Sequence, residues 1–71
     1  MKAFELHPGN RVFCPAWGKL VPATVTEVTY IPRTGLYNVR YDAEITDEWG
    51  TEVMPNCMMH GVSPDRDFPT V

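Results

Sequence analysis

Between Gly9 and Asp42 the chain alternates at a two-residue period and breaks sharply at two corners, a pattern that only antiparallel β-structure accommodates. Residues 12–16 (VFCPA), 19–31 (KLVPATVTEVTYI) and 36–41 (LYNVRY) are rich in β-branched and aromatic types and hold no helical period. Trp17-Gly18 marks the first corner and Pro32-Arg33-Thr34-Gly35 the second, where proline presets φ and glycine supplies a left-handed residue. Val12, Cys14 and Ala16 share one face of the first strand; Val21, Ala23 and Val25 share one face of the second. That second strand, some thirteen residues, is too long to run straight in a small domain, so it is expected to bend and serve two sheets. Pro15 and Pro22 donate nothing to a ladder and predict edges or bulges. In the third strand Tyr37, Val39 and Tyr41 alternate against Leu36, Asn38 and Arg40, and Tyr37 with Val39 reads as core.

Around these strands the signals are weaker. Residues 1–8 form an N-terminal arm in which Phe4 and Leu6 pack on the domain or add a short strand. The acidic stretch Asp42–Glu48 interrupts the alternation, Trp49-Gly50 turns the chain, and a fourth strand follows at Glu52–Met54. Pro55 as a start and Gly61 as a stop predict a single 3₁₀ turn between them, with Val62 opening a short fifth strand. Residues 63–71 are expected as a tail, partly disordered or laid along the surface.

A chain of 71 residues is one domain, and at this size only roughly 60% of the unfolded surface is buried on folding. Two cysteines, Cys14 and Cys57, are too few for a disulfide framework and read as small buried apolar residues in a reducing compartment. The opening Met-Lys-Ala-Phe-Glu-Leu-His-Pro has no apolar core of a signal peptide, and no run reaches membrane-spanning length, so a soluble cytoplasmic protein is expected. Net charge is −3, with Lys2, Arg11, Lys19, Arg33 and Arg40 before Tyr41 and five acids between Asp42 and Glu52. Scattered bases do not supply the clustered cations that a phosphate backbone needs, which disfavours nucleic acid. Cys57-x-x-His60 has metal-like spacing, but His7 and Cys14 lack the paired spacing of the other two ligands of a closed zinc site. No phosphate loop, nucleophile elbow or spaced carboxylate pair is present, so neither catalysis nor a cofactor is expected.

The motifs together resemble the Tudor family of SH3-like barrels. They run from Gly9 with Val12, through Trp17-Gly18 and Pro22-Ala23-Thr24-Val25 with Val28, to Tyr41-Asp42 and the acid-flanked segment Glu52–Met59. The resemblance covers residues 9–62 and implies an all-β, five-stranded SH3-like (Tudor-like) barrel with a single 3₁₀ turn before the last strand. Many Tudor-like domains hold methylated lysine or arginine in an aromatic cage, by cation–π attraction and apolar contact with a carboxylate nearby. On that pattern the expected walls are Trp17, Tyr41 and Trp49, with Asp42 or Asp47 as the anion. All five are expected to converge at one mouth of the barrel.

The expected function is a small non-catalytic interaction module, an adaptor, assembly subunit or inhibitor of the kind found among bacterial and phage proteins. It binds a basic or cationic segment of a protein partner, methylated or not, through Trp17, Tyr41, Asp42, Asp47 and Trp49. The alternatives are a nucleic-acid-binding SH3-like barrel using Arg11, Lys19, Arg33 and Arg40, and a structural homo-oligomer built on an exposed strand. No membrane partner is expected.

Overall fold

A computed structural model describes all 71 residues as one antiparallel sheet in the order β1-β2-β3-β4, preceded by a 3₁₀ turn at Ala3–Glu5. The strands are β1 (Arg11–Ala16), β2 (Lys19–Ile31), β3 (Leu36–Asp47) and β4 (Gly50–Val62). Because consecutive strands pair, every connection is a hairpin, and the turns at 17–18 and 48–49 fall at the same end of the sheet.

β2 does bend. Its first half pairs with β1 (Ala16↔Lys19 through Arg11↔Thr24) and its second with β3 (Ala23↔Ala43 through Ile31↔Leu36). A bulge between Val25 and Glu27, inside the β2–β3 ladder, adds a residue that sharpens the local twist. Beyond Ala23 and Ala43 the ladder between β2 and β3 ends, so the two hairpin tips splay apart at the 17–18 and 48–49 end. At the other end the four-residue turn 32–35 closes with Gly35 N–H donating to the Ile31 carbonyl at 2.9 Å. There Tyr30 and Tyr37 meet with ring centroids 5.1 Å apart.

The concave face of the curled sheet holds the core. Thirteen residues are buried and all are apolar, Tyr41 included. Val12, Cys14, Val21, Ala23, Val25, Val39, Tyr41, Ala43 and Ile45 come from the inward positions of β1 to β3, as period-two alternation dictates. Val62 of β4, Ala3 and Leu6 from the arm and Phe68 from the tail complete it. Phe68, at 1% exposure, is the largest fully buried side chain. The tail docks through Phe13 N–H to the Pro69 carbonyl (2.8 Å) and Val71 N–H to the Arg11 carbonyl (3.2 Å), covering the β1 edge. Ala3 N–H reaches the Arg66 carbonyl at 3.0 Å, tying arm to tail.

Three expectations are corrected. The fold is an open four-stranded sheet, not a closed five-stranded SH3-like barrel. The 3₁₀ turn lies at Ala3–Glu5, and residues 55–61 continue β4 as strand. The reason is positional: β4 is the last strand of the sheet, so Pro55 removes no ladder bond that a further neighbour would need. Asn56 at φ 59° then absorbs the extra residue as a bulge, where the β3–β4 register shifts between Tyr41 and Ala43. Its N–H donates to Asp42 Oδ1 at 3.2 Å. The acidic stretch is likewise strand, because Ala43 and Ile45 keep the inward parity while Asp42 and Glu44 take the outer face. No helix is long and apolar enough to cross a membrane.

Candidate functional site

The splayed ends of the two hairpins enclose an open pocket of about 70 Å³, lined by Trp17, Ile45, Asp47, Glu52, Val53 and Met54. Each lining residue follows from local backbone rules. Ala16↔Lys19 is closed by a two-residue turn in which Trp17 (φ 52°) and Gly18 (φ 77°) are both left-handed, the geometry of a type I′ hairpin. Glycine meets that demand freely; tryptophan does not, and a bulky residue there is strained by about 1–2 kcal/mol. The strained indole is 73% exposed, so core burial does not account for its presence. Strain of this kind recurs at ligand-binding sites.

From the other hairpin, Ile45 and Asp47 share the inward parity of β3, and Ile45 pairs with Glu52 across β4. Ile45 and Met54 form an apolar floor, and Asp47 and Glu52 ring it with negative charge. Asp47 Oδ1 accepts the Trp49 N–H at 2.8 Å, an Asx-type turn that fixes the carboxylate at the pocket. Neither Asp47 nor Glu52 has an ion-pair partner; the chain's two ion pairs are Arg11–Glu44 and the N-terminal ammonium with Asp67.

The five expected site residues divide. Trp17 and Asp47 meet at the pocket. Trp49 sits on the adjacent turn, 87% exposed, and does not line it. Asp42 faces the opposite side of the sheet, holding the Asn56 bulge. Tyr41 lies inside at 3% exposure, its hydroxyl donating to the Pro15 carbonyl at 2.6 Å, so its ring is no cage wall. Burial, reinforced by the nearby Cys14 and Cys57 and opposed by Arg66, pushes the Tyr41 phenol up to about 12. Burial likewise pushes the Cys14 thiol up to about 11, against the pull of Arg66. Ile45, Glu52, Val53 and Met54 line the pocket outside the five expected residues. Parity is the signal for Ile45, two positions before Asp47 on β3, and for Glu52 and Met54, two apart on β4.

The bases do not assemble. Arg11 is engaged by Glu44, Arg66 stacks over Phe68 with its guanidinium 5.7 Å from the ring, and Arg33 lies in the turn at the far end from Lys19. No three His, Cys, Asp or Glu side chains come together as a metal cage. No family model, curated protein or solved structure matches this chain.

Proposed function

We propose that this chain is a small non-catalytic binding module that takes a cationic side chain of a basic protein segment between Trp17, Asp47 and Glu52. The observation that carries this reading is a solvent-facing tryptophan kept in a strained left-handed conformation above two carboxylates with no cation of their own. A guanidinium or ammonium, methylated or not, satisfies every part of that arrangement. The indole face attracts it by cation–π interaction, and Ile45 and Met54 take its apolar stem. Asp47 and Glu52 balance its charge. Two free thiols support a reducing, cytoplasmic setting.

Magnitudes say how much the pocket does alone. Cation–π attraction at an exposed ring contributes about 0.5–1 kcal/mol, and each exposed ion pair about 0.2–1 kcal/mol. Even a millimolar complex needs about 4 kcal/mol. One side chain in the pocket is therefore a selector rather than an anchor, and the partner must make further contacts.

Fluorescence titration tests the reading, in a Trp49→Phe background so that Trp17 alone emits. The ligand is an acetylated, amidated hexapeptide of alternating arginine and valine, with its glutamate–valine counterpart as control. The arginine peptide is expected to quench Trp17. Binding weakens from about 0.01 to about 0.15 M salt as the screening length contracts from about 30 to about 8 Å. Glu52→Gln reduces binding several-fold. Equal responses to the two peptides refute the proposal.

A further inference from the structure

We infer that the basic segment binds as an added β-strand along Gly50–Met54 of β4, which rests on the cation-pocket reading above and supplies the contacts it lacks. β4 is a terminal strand, and none of the backbone hydrogen bonds outside the ladders involves residues 50–62. The opposite edge of the sheet, at β1, is instead covered by the tail through Pro69 and Val71. The free edge is thus confined to one side.

Along that edge the Pro55–Asn56 bulge separates two parts. The first, Gly50–Met54, contains no proline and holds regular register with β3 from Asp47↔Gly50 to Ala43↔Met54. In an antiparallel pair alternate residues turn both N–H and C=O away from the neighbour, so this run offers a further strand its backbone groups. Glu52, Val53 and Met54 also line the pocket, so the edge and the cation site adjoin.

The register then dictates the occupant. A strand added about 4.8 Å beyond β4 carries alternate side chains onto the concave face, beside Glu52 and the pocket. The intervening side chains fall on the convex face, beside Thr51 and the exposed Val53. The pattern that fits is a cation at one position and a β-branched apolar residue at the next. Main-chain bonds give such a complex its affinity, and the alternate pocket gives it specificity. A second copy of this chain fits poorly, because antiparallel pairing of the edge with itself centred on Gly50–Met54 brings Glu52 beside its own counterpart. Like charges on paired strands destabilise.

Peptide N-methylation separates the two layers of the claim. Two versions of the arginine–valine hexapeptide, one N-methylated at the arginines and one at the valines, each lose one set of strand-pairing N–H groups and keep every charge. Calorimetry should show one version binding at least tenfold more weakly than the parent while the other stays within about threefold. The parent should also slow amide exchange across residues 50–54. If both N-methylated peptides bind like the parent, strand addition is wrong while the cation pocket stands. If none of the three peptides binds, both fall. Sedimentation of the free protein as a dimer that Val53→Lys dissociates also overturns the inference, since a second copy would then own this edge.

Discussion

Replacing Trp17 by asparagine should leave the fold about as stable as before and weaken peptide binding by about two- to fivefold. Trp17 is 73% exposed, so about a quarter of its surface is covered. A tryptophan buries at most about 250 Å², which puts roughly 60 Å² at stake, worth about 1.5 kcal/mol at about 25 cal/mol per Å². That figure is an upper value, because the unfolded chain already covers part of the same area. Against it stands the left-handed backbone at φ 52°, which strains tryptophan by about 1–2 kcal/mol and which asparagine tolerates. The two effects nearly cancel, leaving a change within about 1 kcal/mol, or about 4–8 °C in Tm at this size. Urea midpoints and thermal melts by far-UV circular dichroism read it, beside calorimetry with the arginine–valine peptide. A loss of about 3 kcal/mol or more would make Trp17 a core residue with no strain to relieve. A stable Trp17→Asn protein that binds like the parent would put the site elsewhere.

Phe68→Ala should cost about 3–5 kcal/mol, most of the margin of so small a domain, whereas Phe4→Ala at an exposed position stays within about 0.5 kcal/mol; chemical denaturation distinguishes a docked tail from an unneeded one. Tyr41→Phe removes the bond to the Pro15 carbonyl but keeps the ring, and should lower stability by about 1–2 kcal/mol with no change in peptide affinity. Stability should hold up to about pH 9 and fall as pH rises through 11 and 12. The unfolded chain releases the Cys14 and Tyr41 protons near 9 and 10, whereas burial holds them on in the folded state. The slope reaches about 1.4 kcal/mol per pH unit for each group, and urea midpoints that stay flat through pH 11 would contradict it. A thiol reagent at neutral pH should label the half-buried Cys57 promptly and Cys14 only at the rate of unfolding.

The strands up to Asp42 were legible because alternation and turn chemistry agree there. VFCPA, the long β2, and the Trp17-Gly18 and Pro32–Gly35 corners all lie where local rules put them. The second half of the chain was harder, because two local signals pointed away from strand. Five acids after Tyr41 look like a solvated loop, yet Ala43 and Ile45 preserve the inward parity beneath them. Pro55 and Gly61 look like the start and stop of a helical turn, yet at an outer strand proline breaks nothing and Asn56 takes up the bulge. Phe68 stands between Asp67 and Pro69 with no periodic neighbours, so only the tertiary return of the tail to β1 makes it core.

The site divides along the same line. Trp17 was visible as an aromatic at a tight corner, and Asp47 as an acid beside a turn. Tyr41 reads as a mouth residue from its place at a strand end, although the parity that sends Val39 inward carries Tyr41 with it two residues later. Glu52 needed the pairing of β4 with Ile45, a non-local fact. Exposure and charge picked out Trp17 and Asp47, two of the six lining residues; strand register supplies the rest.

The most direct test is a ¹⁵N-resolved NMR titration of the intact chain with the arginine–valine hexapeptide. The predicted result is a contiguous set of shifts at the Trp17 indole N–H, Ile45, Asp47 and the amides of residues 50–54, with the far turn at Arg33 unmoved. Shifts centred instead on Tyr30, Arg33 and Tyr37, or on the outer face around Asp42, would contradict a cation pocket between the splayed hairpins.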